Sequence, residues 1–181
     1  MVHCGDADGY LGGIAHQYPD IVKPCLQTIG PDPSAHRIVG LYMMTVNGQL
    51  MFIADATINI YPDSRTLAEI AVQTARVARR FGVKPKVAML SFSNFGTSGE
   101  LRTDRIEEAI SMARELDNDL IIDGPMQADT ALVPDRQKEF PFMEFEGSAN
   151  VLVCPNLASA NIAYKLLQRI AGAEMTGPIL E

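Results

Sequence analysis

The stretch of sequence that decides the fold is residues 86–123, KVAMLSFSNFGTSGELRTDRIEEAISMARELDNDLIID. It contains an apolar run, a loop rich in Gly and Ser, a charged segment with apolar residues at helical spacing, and a second apolar run. This order predicts strand, loop, amphipathic helix and strand, which form the βαβ unit of a parallel sheet. Ligands bind beyond the carboxyl ends of such strands, so we expect binding or chemistry at residues 91–99 and 123–129.

A hairpin is predicted upstream of this unit. Two β-rich stretches, residues 38–46 and 50–54, flank Asn47 and Gly48, a pair that readily takes the positive φ angles of a tight turn. Residues 57–60 are predicted to add a short strand.

The remaining apolar patterns predict helices on both faces of a mostly parallel sheet. Thr66 and Glu69 are spaced as a capping box, at the start of a helix that Gly82 ends. Other helices are predicted near residues 7–15, 21–29, 106–116, 127–133 and 160–170, with a further strand at 150–154. Alternating strands and helices of this kind indicate an α/β fold, a three-layer sandwich.

Composition excludes several classes of function. The chain has 181 residues, 47% of them hydrophobic, and a formal net charge of -7, which disfavours binding to nucleic acid or to an anionic membrane. No apolar run is long enough to span a bilayer, and no secretion signal is recognisable. Cys4, Cys25 and Cys154 are too widely separated for a metal site, so we expect buried free thiols and a cytoplasmic location.

A few residues could carry chemistry. Asp6 and Asp8 could bind Mg²⁺, although such a pair more often caps a helix. His16 beside Asp20 could act as a general base or simply form a polar junction between helices. The loop at residues 91–99 could hold a phosphate or be a plain connection. No catalytic triad and no metal cluster can be assembled from the sequence.

Six separated motifs occur in a familiar order. They are residues 5–10, 85–93, 123–129, 149–157, 161–166 and 177–178. Together they resemble the phosphate acetyl/butyryltransferase family. Within it, Ser93, Asn94, Phe95 and Gly96 look most like the C-terminal domain of hybrid NADP-dependent malic enzymes.

The resemblance implies an isocitrate dehydrogenase-like fold of two subdomains, the second inserted into the first. Residues 34–154 would be the inserted subdomain. Residues 1–33 and 155–181 would be flanks of the outer one, with the C-terminal flank truncated. We expect a piece of a larger protein, since residues 5–9 form a turn that normally follows a strand, and residues 177–181 stop where a loop should lead into a further element.

Two departures from the family pattern bear on function. Gln17 and Tyr18 follow His16 where transferases usually have Ser and Thr, and Lys23 replaces an Arg before Pro. A lysine lacks the planar fork with which arginine holds phosphate. We therefore expect a catalytically incomplete domain that binds acetyl-CoA as an allosteric inhibitor and promotes oligomerisation. The remainder would be a malic enzyme using NADP and Mg²⁺ or Mn²⁺. The alternatives are a phosphate acetyltransferase and a dimerisation module only.

The resemblance also suggests where acetyl-CoA would bind. Its phosphates should meet backbone N–H groups and cations, and the candidate residues are Gly5, Asp6, Asp8, Gly9, Lys23, Ser91, Ser93 and Asn94. We assign no catalytic residue and no metal ligand to the chain. The expected partners are a small-molecule ligand and a second copy of the chain in a homodimer or larger homo-oligomer, with no nucleic acid and no membrane.

Overall fold

The computed structural model describes residues 1–31, 36–96 and 104–181. The chain divides into two compact units, Met1–Arg37 and Ile38–Glu181. The first unit has a 3-10 turn at Val2–Cys4 and helix α1 at Tyr18–Thr28. The helix predicted at 21–29 is thus confirmed. The helix predicted at 7–15 is wrong, because three glycines fall in residues 9–13 and glycine disfavours a helical backbone.

Within the described residues of the second unit, six strands form one sheet in the order β4-β3-β5-β2-β1-β6. Strands β2 to β5 are mutually parallel, and β1 is antiparallel to both of its neighbours. The strands are β1 Gly40–Val46, β2 Gln49–Ala54, β3 Val87–Leu90, β4 Ile122–Met126, β5 Val151–Val153 and β6 Glu174–Leu180; the helices are α2 Ser64–Arg80, α3 Asp104–Leu116, α4 Ala128–Leu132, α5 Pro134–Gln137 and α6 Leu157–Ile170. The predicted α/β fold with a mostly parallel sheet is confirmed.

The sheet buries apolar side chains on both faces. Along β2, Phe52 and Ala54 face α2 and α3, whereas Met51 and Ile53 pack with side chains of α4 and α6. This alternation follows from the two-residue period of a strand. Helices on the two faces therefore cover one central sheet, which gives the three layers expected from the sequence. None of the helices in the described part of the chain has the length and apolarity needed to cross a bilayer.

The hairpin prediction is confirmed, and the C-terminal residues form a strand that the sequence did not indicate. Asn47 has φ 50° and Gly48 has φ 76°, as a tight turn between β1 and β2 requires. Residues 174–180 pair with β1, with Leu180 opposite Gly40. The glycine and proline at positions 177 and 178 conceal this strand in the sequence, because both residues are uncommon in sheets.

The strand predicted at residues 57–60 is wrong. The carboxylate of Asp55 accepts hydrogen bonds from the backbone N–H groups of Thr57, Ile58 and Asn59, at 2.8, 3.0 and 3.1 Å. These N–H groups are therefore unavailable to a neighbouring strand. A side chain that hydrogen-bonds to the backbone ahead of it favours a turn over a sheet.

Helix α2 begins earlier than the predicted capping box implies. Asp63 is its N-cap residue and accepts a hydrogen bond from the backbone N–H of Thr66 at 2.8 Å. The prediction that Thr66 caps the helix is wrong, because the helix already begins at Ser64 and Asp63 is its N-cap residue. The predicted end is confirmed, since Gly82 has φ 75° and Val83 donates a hydrogen bond to the Ala78 carbonyl.

We expect Asp63→Ala to lower the free energy of unfolding by about 1 kcal/mol, because it leaves the Thr66 N–H without its acceptor. Asp63→Asn keeps an acceptor oxygen and should cost much less. Urea unfolding of the two variants measures the difference. Equal losses in both would show that the cap is not the source of the effect.

Candidate functional site

The carboxyl ends of four parallel strands meet at one edge of the sheet. Strands β2 and β3 lead into helices on one face, whereas β5 leads into α6 on the other. Connections that leave adjacent strands toward opposite faces leave a crevice between them, and ligands of open α/β sheets bind there. The segment after β3, residues 91–96, lies at this edge and is called the β3 loop below.

The β3 loop is fixed to the end of β4 by backbone hydrogen bonds. Ser91 donates to the carbonyl of Met126 at 2.8 Å, and Phe95 donates to the carbonyl of Pro125 at 2.6 Å. Phe95 has φ 47°, a left-handed conformation that is uncommon for a residue other than glycine. Its ring packs against the rings of Phe140 and Phe142, with centroids 5.1 and 4.8 Å away.

Two side-chain amides complete the connection between the β3 loop and the end of β4. The backbone N–H of Gln127 donates to Asn94 Oδ1 at 2.8 Å, and Gln127 Nε2 donates to the carbonyl of Phe92 at 2.7 Å. Asn94 Nδ2 donates to Gln127 Oε1 at 3.3 Å. The shape of the loop is therefore set by residues more than thirty positions away along the chain.

The structure brings three of the predicted site residues together in the β3 loop. Ser91 and Asn94 are half-buried, whereas Ser93 is only 7% exposed. The part of the predicted loop from residue 97 to residue 99 lies outside the described residues. Ser91 thus offers a hydroxyl near the surface of the strand edge, and the hydroxyl of Ser93 is enclosed by the fold.

The other five predicted site residues belong to the first unit. Gly5 has φ 75° and ends the 3-10 turn, and the N–H of Asp6 donates to the carbonyl of Met1 at 3.0 Å. Asp8 and Gly9 lie in an irregular segment, and Lys23 lies on α1; all five are exposed. The alternative that Asp6 and Asp8 cap a helix is wrong, because residues 7–15 are not helical.

The first unit carries a groove, and the described residues form no cluster of metal ligands. An open groove of about 370 Å³ on the first unit is lined by residues of the N-terminal turn and α1, and none of the predicted site residues lines it. Among residues 1–31, 36–96 and 104–181, no group of three or more potential metal ligands comes together.

Arg105 is a cation at the strand edge that the sequence did not single out. It lies in the first turn of α3, and its Nη2 donates to the carbonyl of Pro155 at 3.0 Å, just beyond β5. Its Nε is buried and has no hydrogen-bond partner among the described residues. In the sequence Arg105 is one of many charges on a solvated helix, so only the fold shows that it reaches the end of another strand.

Asp123, at the start of the second segment where we expected chemistry, makes contacts that stabilise the fold. It lies inside β4, and its carboxylate accepts hydrogen bonds from the N–H groups of Gly124 and Glu144, each at 2.8 Å. Burial raises the pKa of Asp123 above its ordinary value of 3.8, against the opposing effect of these two hydrogen bonds. The carboxylate thus fixes the segment around Glu144 to the sheet.

The raised pKa of Asp123 predicts a pH dependence of stability. The folded state binds this proton more tightly than the unfolded state. The contribution of Asp123 to the free energy of unfolding is therefore fully present below pH 3.8, and it is lost as the pH rises through the pKa of Asp123 in the folded state. The free energy of unfolding of the wild type, minus that of Asp123→Asn, should therefore fall as pH is raised from about 4 to about 6. Urea unfolding across this range tests the sign, and a difference that grows with pH would contradict it.

The three free cysteines differ in their exposure. Cys154 follows β5 and is buried, which raises the pKa of its thiol to about 12, so it is not a nucleophile near neutral pH. Cys25 is half-buried and Cys4 is exposed. The expectation of buried thiols is confirmed for Cys154 and is wrong for Cys4, which lies in an open turn of the first unit.

Several known proteins similar to this chain are phosphate acetyltransferases or phosphotransacetylases. The chain is 41% identical to a phosphate acetyltransferase of Bacillus subtilis (strain 168), over all of this chain and 56% of that protein. It superposes on the EutD phosphotransacetylase from Staphylococcus aureus with a TM-score of 0.91 and 40% identity, over 99% of this chain and 56% of that one. For a phosphotransacetylase from Streptococcus pyogenes the TM-score is 0.92 and the identity 41%, over 99% and 55%.

These relatives correct the function predicted from the sequence. They are phosphate acetyltransferases, and nothing in the comparisons shows a malic enzyme. The prediction of a regulatory malic-enzyme domain, with an NADP-dependent oxidoreductase and its Mg²⁺ or Mn²⁺ ion as the remainder, is therefore wrong. Its stated alternative, a phosphate acetyltransferase, agrees with the relatives.

The similarity extends along the whole chain, although the chain spans only about half the length of these relatives. The sequence pattern of the family described as phosphate acetyl/butaryl transferase matches residues 1–181. The matched region includes the β3 loop, the end of β4 and the turn that begins the first unit. The chain belongs to the phosphate acetyl/butaryl transferase family.

Proposed function

We propose that the protein containing this chain is a phosphate acetyltransferase, which moves an acetyl group between acetyl phosphate and CoA. The observation that carries the proposal is the agreement with phosphotransacetylase structures, at 40% and 41% identity with TM-scores of 0.91 and 0.92. In this reaction the CoA sulfur bonds to the acetyl carbonyl carbon, and the bond from that carbon to the phosphate oxygen breaks. The released phosphate keeps the electron pair of that bond, and the thiol proton passes to the phosphate or to water.

The described residues support a binding role at the strand edge. The Ser91 hydroxyl offers a neutral hydrogen-bond donor, and the Arg105 guanidinium offers a positive charge. Phosphate groups prefer such a combination of N–H or O–H donors and cations. We therefore propose CoA, or acetyl-CoA, as the ligand of the β3 loop.

Lys23 of the first unit is the predicted cation that departs from the family pattern. Its ammonium can attract a phosphate as a point charge, but it cannot form the bidentate contact of a guanidinium. We expect Lys23→Ala to raise the KM for acetyl phosphate about tenfold, and Lys23→Arg to lower it or leave it unchanged. Equal KM values in the wild type and Lys23→Ala would remove Lys23 from the site.

Ligand binding and turnover together test the proposed function. The full protein should convert acetyl phosphate and CoA to acetyl-CoA, measured as acetyl-phosphate-dependent loss of the CoA thiol. CoA at 100 times its dissociation constant should also stabilise the protein by roughly 2.7 kcal/mol. Thermal stabilisation by CoA without turnover would leave only a binding domain and would contradict the transferase.

We also propose that the protein forms a homodimer. Ile162, Leu166 and Ile170 are exposed and recur every four residues along α6, so they form one apolar stripe. A monomer by light scattering across micromolar concentrations would contradict this proposal.

The free cysteines suit a reducing compartment, and we propose the cytoplasm as the location.

A further inference from the structure

Gln127 occupies a helix N-cap position, but its side chain does not cap the helix. It precedes α4, and no hydrogen bond joins its side chain to the first turn. Short polar residues are preferred at this position because they can accept that hydrogen bond. The longer Gln127 side chain instead reaches back to the β3 loop, where its Nε2 and Oε1 contact Phe92 and Asn94.

This use of Gln127 is not explained by burial. Gln127 is exposed, so water could satisfy both ends of its amide without any contact to the loop. Gln137 is the buried counterpart, only 8% exposed, and its side chain bonds the backbone of Thr130 and Gly147. Gln137 thus satisfies buried backbone groups, whereas Gln127 fixes the conformation of a segment at the surface.

The β3 loop contains a backbone conformation that surrounding contacts must stabilise. Phe95 has φ 47°, and such a residue persists in this region when surrounding contacts hold it there. Among the described residues, these contacts are the carbonyl of Pro125 and the amide of Gln127 at the end of β4, together with the rings of Phe140 and Phe142. The same loop carries the half-buried Ser91 and the exposed Phe92, at the edge where parallel sheets bind ligands.

We propose that Gln127 is a positioning residue for CoA: its side-chain amide, together with Asn94, holds the β3 loop in the conformation that receives the CoA phosphates. The proposal rests on the proposed function for the identity of the ligand. The hydrogen bonds themselves do not depend on that identity. Gln127 therefore acts through the loop and does not touch the reacting atoms.

The experiment compares Gln127→Ala with Gln127→Glu and Gln137→Ala in the full protein. Gln127→Ala should raise the KM for CoA about fivefold, because the loop loses two of its hydrogen bonds, while kcat changes less than twofold. It should also speed hydrogen exchange in peptides covering residues 91–96. Gln127→Glu can still accept from Asn94 but cannot donate to Phe92, so its KM should lie between those of Gln127→Ala and the wild type.

Gln137→Ala is the matched control, because it removes a structural glutamine away from the loop. It should lower the melting temperature without changing either hydrogen exchange in the β3 loop or the KM for CoA.

Unchanged hydrogen exchange in the β3 loop of Gln127→Ala would overturn the proposal, and so would faster exchange with an unchanged KM for CoA. If the wild type shows no turnover, the proposed function fails separately, and the CoA dissociation constant measured by calorimetry replaces KM. An equal dissociation constant in the wild type and Gln127→Ala, or no binding to either, would then overturn the positioning role.

Discussion

Gly124→Ala is expected to lower the free energy of unfolding by about 3 kcal/mol or more, and to loosen the β3 loop as well. Gly124 has φ 141°, a conformation open almost only to glycine, and strain of this kind costs about 1 to 3 kcal/mol. A Cβ atom there would also lie 2.6 Å from the carbonyl oxygen of Met89. The clash lies between β3 and β4, whose ends carry the loop and Gln127.

Gly82→Ala separates the cost of the strained backbone from the cost of the Cβ clash. Gly82 also has a positive φ, 75°, but a Cβ atom there would meet nothing within 4 Å. It should cost only about 1 to 2 kcal/mol, the penalty for a left-handed backbone. Chemical unfolding of both variants gives the comparison. A loss for Gly124→Ala no larger than that for Gly82→Ala would show that the approach of β3 to β4 is not tight.

Phe52→Ala should be the most destabilising substitution in the core, at about 4 kcal/mol. Phe52 is fully buried in β2 beneath α2, and its ring lies 6.1 Å from that of Phe81. Removing it eliminates buried apolar surface and leaves a cavity that a packed sheet cannot close.

Phe92→Ala is the control for Phe52→Ala, because Phe92 is 55% exposed in the β3 loop. Its loss should change the free energy of unfolding by less than about 1 kcal/mol. Similar losses in the two variants, measured by urea unfolding, would contradict the burial of Phe52 in the central core.

The sequence predicted the elements whose patterns are local. Ile106, Ala109, Ile110 and Ala113 form one apolar stripe at helical spacing, and all four are buried on α3. Leu116, in the same stripe, is 54% exposed, because the helix ends there. Periodicity thus identifies an element and its face, while the position where packing stops depends on the neighbouring elements.

The features that the sequence could not predict depend on contacts between distant residues. Asp55 prevents a strand at residues 57–60 through hydrogen bonds to their N–H groups, and β6 forms because β1 offers an open edge. Gln127 belongs to a motif that we had recognised, but its role requires a partner 33 positions earlier, at Asn94. Pattern and spacing within one segment contain no information about that pairing.

The sequence analysis favoured a malic-enzyme domain over a phosphate acetyltransferase, and this choice was wrong for a related reason. The malic-enzyme prediction rested on the departures at Gln17, Tyr18 and Lys23 and on residues 93–96. The structure places residues 93–96 in a loop held by Gln127 and by the rings of Phe140 and Phe142. These residues therefore report how the loop packs, which relatives with different activities can share. The relatives that match the whole chain at about 40% identity are phosphate acetyltransferases, and they favour the transferase.

The most direct test of the account is the rate of acetyl-CoA formation by the full protein from saturating acetyl phosphate and CoA. The account predicts turnover of at least about 1 s⁻¹, in the ordinary range for enzymes, and the reverse release of CoA thiol from acetyl-CoA and phosphate. A correctly folded, CoA-binding protein that shows no rate above a protein-free blank in either direction would contradict it.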